Sequence, residues 1–274
     1  DLLAGLDETM TTMGVGLDAI HTELGPGCFE APLTYAKGMK SPDDAMLFKN
    51  FAKAYFSRNE LTVSFMSKLT PALSGQSGHL HVSLREKAGN AAFSNPDAQD
   101  GLSTVARHFI GGLVKLMPEL LAMCASTVNA YKRLVPGAWA PISANWGVQN
   151  RTAAVRVIND TPEATRLEFR VPSADTNPYL ALALCVGAGL YGIRNEIEPP
   201  EGSAEDFYAT APADHSVFPR DLFDAAERLD RSAVAREIFG ADFVDWFVGS
   251  RKIEFAEYQK QVSDWEITRY LGIV

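Results

Sequence analysis

Cysteine is scarce in this sequence: Cys28, Cys124 and Cys185 are the only three in 274 residues. Their number is odd, they are widely spaced, and no C-x-x-C pair occurs. These features argue against a disulfide framework and against a thiolate metal site. We therefore expect three reduced, mostly buried thiols in a cytoplasmic protein.

Long apolar runs and a surplus of basic residues are also lacking. The longest uncharged apolar run, residues 178–193, is too short for a typical membrane span, and no basic, apolar leader opens the chain. The formal net charge of −9 argues against nucleic acid or an anionic membrane as a general partner, although a local basic cluster could bind a phosphorylated small molecule. With 46% hydrophobic residues the chain can bury a substantial core.

The sequence also lacks internal repeats and a G-x-x-x-x-G-K-[ST] loop, so a bound nucleotide would need a site built from strands. Helical spacing predicts helices at 41–60, with Ser41 as its cap, at about 102–128, disturbed near Pro118, and at 178–193, a buried helix. Alternation with period two predicts strands at 14–24, 61–69, 79–84, 153–157 and 165–171. We predict a single α+β domain over 1–274 with a helical C-terminal portion.

Two of the predicted strands carry unusually polar faces. Alternation groups His79, His81 and Ser83 on one strand, and Arg166, Glu168 and Arg170 on the other. Taken alone, such a face is most often solvated surface, and a single histidine is usually structural. The opposite faces are apolar, however, which places both strands on the core.

Two glutamates, Glu23 and Glu30, flank a Gly-Pro-Gly turn. With a histidine and a further glutamate they form a hard ligand set suited to Mg²⁺ or Mn²⁺, although two surface glutamates beside a loop explain this segment equally well. Five arginines fall between positions 133 and 170. Divalent cations beside clustered guanidinium groups are what phosphoryl transfer requires, because the developing negative charge must be neutralised.

Four motifs make the sequence resemble the catalytic domain of glutamine synthetase and related γ-glutamyl-amine ligases. They are HTELGPGCFE (21–30), SGQSGHLHVSL (74–84), YKRLVPGAWAPISANWGVQNRTAAVRV (131–157) and RLEFRVPSADTNPYLALA (166–183). The resemblance implies an α+β fold in which a largely antiparallel, curved sheet lines the active site and helices flank it. It also implies ATP and Mg²⁺ or Mn²⁺ as cofactors, and glutamate and a small amine as substrates.

The resemblance assigns roles by position. It implies one metal at Glu23 and Glu30 and a second, between the ATP phosphates, at His79 and Glu168. It implies phosphate or transition-state contacts for Arg151, Arg156 and Arg166, glutamate contacts for Gly75, Arg133 and Arg170, and nucleotide contacts for His81 and Ser83. The implied reaction phosphorylates the γ-carboxylate of glutamate, and an amine then attacks the γ-glutamyl phosphate to form an amide.

Departures from the family pattern matter for the acceptor. True glutamine synthetases carry a glutamate, which helps to bind ammonium and take up its proton, where this chain has Trp139. An indole instead offers a flat apolar wall and a face for a cation, which favours a larger amine, unless Trp139 only packs the loop. Cys28 and Ser74 replace the usual Gln and Asn.

Other parts of the family's site are expected outside this chain. The family's remaining metal-binding glutamates and its small β-rich N-terminal domain would precede residue 1, and family active sites form between neighbouring subunits of a ring. We therefore expect this fragment to be inactive alone and the full-length protein to form a ring-shaped homo-oligomer.

The leading hypothesis is an ATP-dependent ligase that joins glutamate to an organic amine. The alternatives are glutamine synthetase itself, using ammonium, and a non-catalytic structural relative. Without the resemblance, a metal-dependent hydrolase built on His79 and His81 is a further interpretation, but it leaves the five arginines unexplained. The sequence does not identify the amine.

Overall fold

A computed structural model describes residues 2–209, 213 and 216–274, in which helices surround a small mixed sheet. The α-helices are α1 (Leu2–Thr12), α2 (Lys40–Ser57), α3 (Thr104–Leu120), α4 (Pro178–Arg194), α5 (Leu222–Arg231), α6 (Ala233–Phe239), α7 (Ala241–Gln259) and α8 (Asp264–Tyr270). The strands are β1 (His21–Thr22), β2 (Phe29–Glu30), β3 (Leu80–Val82), β4 (Trp146–Val148), β5 (Val155–Ile158) and β6 (Arg166–Phe169). The α+β class and the helical C-terminal portion are confirmed.

The central sheet has the strand order β3-β6-β5-β4, in which β4 and β5 are parallel and the other pairs are antiparallel. Its register places Glu168 directly between His81 and Arg156 on the neighbouring strands. Strands do form within or across 79–84, 153–157 and 165–171, but each is shorter than predicted or displaced by a residue. The sheet therefore aligns one polar row across three strands.

Helices α3 and α4 pack against each other through glycine. A Cβ on Gly112 would lie 2.1 Å from the Ala188 carbonyl oxygen, and one on Gly192 would lie 2.1 Å from the His108 carbonyl oxygen. These contacts leave no room for a side chain at either position. Gly192 also ends a G-x-G-x-x-G spacing at 187–192, but this segment lies inside α4 and not at a strand-to-helix turn, so it is not a dinucleotide loop.

The helix predictions are confirmed in position and corrected at their ends. The helix α4 begins as expected after Asn177, whose side chain caps the first turn. The helix predicted at 102–128 ends at Leu120 and continues as a 3₁₀ turn to Met123, with Pro118 inside it. Ser41 is not a cap, because α2 already begins at Lys40 and has Met39 at its N-cap position.

Two strand predictions are wrong. No strand forms at 61–69, where the side chain of Asn129 accepts from the Lys68 amide and donates to its carbonyl, so these groups bond to a side chain and not to a neighbouring strand. In 14–24 only His21–Thr22 is a strand, and Leu17 forms an isolated antiparallel bridge with Leu33. Helix α1 was not predicted.

The described part of the chain contains no helix that is both long and apolar enough to cross a membrane. All three cysteines are free: Cys124 and Cys185 are buried and Cys28 is half-buried. The prediction of buried, unpaired thiols is thus confirmed for Cys124 and Cys185 and partly for Cys28.

Candidate active site

A single buried carboxylate, that of Glu168, organises the polar face of the sheet. It is 3% exposed. Its Oε1 lies 3.0 Å from Nδ1 of His79 and also accepts from Nη1 of Arg170, while its Oε2 lies 3.1 Å from Nη1 of Arg156. Residues predicted from separate motifs thus share one charged centre.

The protonation states of this centre follow from its contacts. Burial alone would raise the pKa of Glu168, but the hydrogen bond from His79 and the charge of Arg170 hold it well below the usual range of a carboxyl. Burial lowers the pKa of His79 to about 4, so its ring is neutral at pH 7. A neutral ring that donates from Nδ1 keeps an acceptor lone pair on Nε2, and this buried atom has no hydrogen-bond partner among the described residues. The free Nε2 is a suitable donor for a divalent cation, while Glu168 contacts the opposite ring nitrogen and orients the ring.

Three arginines predicted to bind phosphate lie along or beside this row. Arg156 donates from its Nη2 to Gln149 Oε1 at 2.8 Å, and Arg166 donates from Nε to His81 Nδ1 at 3.2 Å. Arg151 is exposed in the turn before β5, and its side chain has no partner in the described part of the chain. Its guanidinium is therefore free to meet a ligand.

The flank formed by β3 presents the two residues predicted to contact nucleotide. Burial and the charge of Arg166, partly offset by Glu168, lower the pKa of His81. Ser83 is exposed one position beyond the end of β3. Both residues face the same side of the strand, as alternation predicted.

The structure gives Arg133 a position that differs from its predicted role. It is 1% exposed, and its two terminal nitrogens donate to the carbonyl oxygens of Val171 and Arg170 at 2.8 and 2.9 Å. In this arrangement its guanidinium supports the end of β6 and does not face a substrate carboxylate. Gly75 packs on it so closely that a Cβ would lie 2.6 Å from Arg133 Cγ, which explains a glycine in this turn.

The strands β1 and β2 form a hairpin that places Glu23 and Glu30 together, as predicted, and adds His21. One ligand atom from each of these three residues lies within 4.8 Å of the others, and all three side chains are exposed. The Leu24 backbone amide lowers the pKa of Glu23, whereas burial and the neighbouring Glu23 raise that of Glu30. His21 and Glu23 alternate within the strand predicted at 14–24, and this spacing was a signal that could have identified the histidine.

The loop carrying Trp139 adjoins this centre through Arg170. Nη2 of Arg170 donates to the Trp139 carbonyl oxygen at 3.3 Å, while Nη1 of the same side chain reaches Glu168. Trp139 has a φ of 53°, unusual for a residue with a side chain, and is 54% exposed. About half of the surface of Trp139 is therefore open to solvent.

Sequence reasoning missed two residues that contact this site. Gln149, with a φ of 52°, binds Arg156, and the Tyr208 hydroxyl donates to the Ala140 carbonyl oxygen at 2.9 Å. Gln149 lies within the motif at 131–157, which could have indicated it, whereas Tyr208 lies outside all four motifs.

Residues 1–270 match the model of the family described as glutamine synthetase, catalytic domain. The chain is 40% identical over 266 residues to type-1 glutamine synthetase 2 of Dictyostelium discoideum, covering 95% of this chain and 50% of that protein. It is 35% identical over 274 residues to a glutamate–isopropylamine ligase of Pseudomonas sp, covering 100% of this chain and 60% of that protein. A solved structure described as a GmaS/ADP complex superimposes with a TM-score of 0.89 at 33% identity, covering 99% of this chain and 63% of the other.

Proposed function

Because the chain belongs to the glutamine synthetase catalytic-domain family, we propose that it is the catalytic part of a ligase that uses ATP to join glutamate to an organic amine. The γ-carboxylate of glutamate would be activated as γ-glutamyl phosphate, which converts a poor leaving group into a good one. The Pseudomonas relative is named for this class of reaction, with isopropylamine as its amine.

The chain spans about half to two-thirds of the length of these relatives. We therefore propose that activity requires a longer protein that supplies the remaining metal ligands and assembles as a ring-shaped homo-oligomer. The GmaS relative solved with ADP supports nucleotide binding by this fold.

The residues fit divalent metal ions, and we propose Glu23 and Glu30 as ligands of one and His79 and Glu168 as ligands of another. Bound there, such ions would neutralise charge on the phosphates and on the substrate carboxylate. The unpaired Nε2 of His79 supports a metal ligand at this residue, and Glu168 would join it as a ligand once its Oε1 left Nδ1 of the same ring. The carboxylate of Glu168 also keeps Arg170 in place, so loss of this group would affect both the ligand set and the arginine.

The arginines would stabilise the charge that develops during phosphoryl transfer. Arg156 and Arg166 would hold phosphate oxygens from the sheet, beside His81 and Ser83 at the nucleotide. Arg151, which has no partner in the described chain, would meet the transferring group. Arg156 and Arg166 are held by Gln149 and His81, and donors fixed in this way lower the barrier because they need little reorganisation during the reaction.

The glutamate site would lie beside Arg170, which joins Glu168 to the Trp139 loop. The Gly75 turn would complete it. Arg133 would bind glutamate directly only if it left the carbonyl oxygens of Val171 and Arg170, so we assign it support of the site in this conformation.

Trp139 is the observation that favours an organic amine. Its exposed indole stands where the family's ammonium-binding glutamate is expected, and its backbone is held by the arginine that contacts Glu168. An indole cannot accept a proton from ammonium, but its face attracts both alkyl groups and cations. Glutamine synthetase activity with ammonium is the second candidate, favoured by the 40% identity to the Dictyostelium enzyme.

ADP release by the full-length protein with Mg²⁺, ATP and glutamate separates the two candidates. Ammonium, methylamine, isopropylamine, a diamine and ethanolamine would be compared as acceptors. We expect turnover with an organic amine and little with ammonium. Turnover mainly with ammonium would contradict the proposal, and no turnover with any acceptor would favour a non-catalytic relative.

The variant Trp139→Glu tests whether Trp139 determines the preference for an organic amine over ammonium. Restoring a carboxylate should raise kcat/KM for ammonium relative to the best organic amine by about tenfold or more, since a polar group matched to its ligand discriminates strongly. Trp246→Glu is the matched control, because Trp246 is 82% exposed on helix α7. An unchanged ratio in Trp139→Glu would rule out the tryptophan as the determinant.

A further inference from the structure

Residues 200–209, which we call the strap, cross the outside of the sheet beside β4. Side chains of the segment 146–152 hold the strap almost entirely through its main chain. The contacts are Trp146 Nε1 to the Pro200 carbonyl oxygen at 2.7 Å, Asn150 Nδ2 to those of Ser203 and Glu205 at 2.9 and 2.8 Å, and the Phe207 amide to Thr152 Oγ1 at 3.1 Å. The strap is thus fixed before it reaches Tyr208.

Tyr208 connects the strap to the loop that carries Trp139. Its hydroxyl donates to the Ala140 carbonyl oxygen at 2.9 Å, and Arg170 donates to the preceding carbonyl oxygen, that of Trp139, at 3.3 Å. Two successive peptide groups are therefore held from two different parts of the chain. Among the described residues, Arg170 and Tyr208 are the only side chains that bond to the carbonyl oxygens of Trp139 and Ala140.

The backbone at Trp139 needs such support. A residue with a Cβ at a φ of 53° lies in the left-handed region, which is disfavoured because the Cβ lies too close to the following carbonyl oxygen. The neighbouring Gly137, with a φ of 76°, adds freedom to the loop. Without outside contacts the loop would relax, and the direction of the indole would change with it.

We propose that Tyr208 is a positioning residue for the acceptor amine, because its hydroxyl fixes the loop that directs the Trp139 indole. This inference rests on the proposed function, in which that indole forms the acceptor wall. Tyr208 interacts electrostatically with Arg170, but no hydrogen bond in the described residues joins it to Glu168, His79 or Arg156. Its removal should therefore leave the nucleotide and metal contacts intact.

The kinetic test compares Tyr208→Phe with the wild type in the full-length protein. We expect KM for the best acceptor to rise about fivefold, the effect of losing one net hydrogen bond, while KM for ATP and glutamate stays unchanged. The matched control is Tyr55→Phe, whose hydroxyl also donates to a backbone carbonyl, that of Leu2 at 3.0 Å, but far from the sheet. Equal losses for all three substrates, or no change in acceptor KM, would overturn the proposal.

A double mutant tests whether Tyr208 acts through the indole. In a Trp139→Ala background, Tyr208→Phe should no longer change the acceptor KM, because the positioned group is gone. An effect of the same size in both backgrounds would show that Tyr208 acts by another route and would overturn the proposal.

A spectroscopic test does not depend on turnover. In protein labelled with 5-fluorotryptophan, the Trp139 fluorine resonance is assigned by its loss in Trp139→Ala. We expect it to shift or split in Tyr208→Phe but not in Tyr55→Phe, and an unchanged resonance would overturn the positioning role. If Trp139→Ala leaves acceptor choice unaltered, the assignment of Trp139 as the acceptor wall fails, even when the response of this resonance to Tyr208→Phe shows that Tyr208 positions the loop. Absence of turnover with every organic amine would instead refute the proposed function.

Discussion

Replacing Glu168 with Gln tests whether one buried carboxylate holds the cations of the site together. The variant keeps the side-chain volume but removes the charge that Arg156, Arg170 and His79 contact. Loss of one partner of a buried ion pair costs about 3 to 5 kcal/mol. The variant retains an acceptor oxygen, and Arg156 keeps its bond to Gln149, so we expect the free energy of unfolding to fall by about 3 kcal/mol.

Urea and thermal unfolding of the full-length protein measure this loss. In a domain of this size 1 kcal/mol corresponds to about 2 to 4 °C in Tm, so the expected decrease is about 6 to 12 °C. Glu163→Gln is the matched control, since the Glu163 side chain is exposed and has no partner among the described residues. The control should differ from the wild type by less than about 0.5 kcal/mol.

Added Mn²⁺ extends the same experiment to metal binding. A ligand that binds only the folded state raises Tm by mass action, so Mn²⁺ should stabilise the wild type and the control but stabilise Glu168→Gln much less. A loss of stability below about 1 kcal/mol would refute the view that Glu168 neutralises a buried cationic cluster. Equal stabilisation of both variants by Mn²⁺ would refute its role as a metal ligand.

Three further changes test the phosphate-binding arginine, the glycine turn and a surface ion pair. Arg151→Ala should leave Tm within about 1 °C but lower kcat about a hundredfold, because an exposed arginine without partners contributes to the transition state and not to the fold. Gly75→Ala should cost about 1 to 3 kcal/mol in urea unfolding, since its Cβ would lie 2.6 Å from Arg133 Cγ. Although burial opposes it, hydrogen bonding to Arg228 lowers the pKa of Asp224, so this carboxylate stabilises the fold above its unfolded-state pKa and the benefit disappears as pH falls. The stability difference between wild type and Asp224→Asn should therefore shrink below about pH 4, and a constant difference would contradict the assignment.

The sequence predicted those elements of the fold whose residues alternate or recur for local reasons. The strands near 80, 156 and 168 were identifiable because each has one apolar and one polar face. Their register was not, because pairing of residues 81, 156 and 168 joins segments far apart in the chain. The same alternation at 61–69 was misleading, since a strand also requires a neighbouring backbone, and there the side chain of Asn129 takes that place.

The site residues were identifiable from their motifs, but their hydrogen-bond partners and backbone conformations were not. Nothing in the segment around Arg133 indicates that backbone carbonyls occupy its guanidinium, because this depends on where β6 ends. The left-handed backbone of Trp139 was equally hidden, as no local preference favours it in a tryptophan. His21 was the exception, since its alternation with Glu23 carried a readable signal.

Because the strap is held through its main chain, it should tolerate most amino-acid substitutions. Its carbonyl oxygens are recognised by Trp146 and Asn150, and main-chain atoms are the same for nearly every amino acid. Gly202 is an exception, because a Cβ there would lie 2.8 Å from the Trp146 ring. A deep mutational scan of 201–206 should therefore accept most substitutions and reject changes at Gly202, while single-residue insertions or deletions, which shift every carbonyl at once, should be the harmful class. Among natural relatives, the length of this segment should therefore vary less than its amino-acid composition.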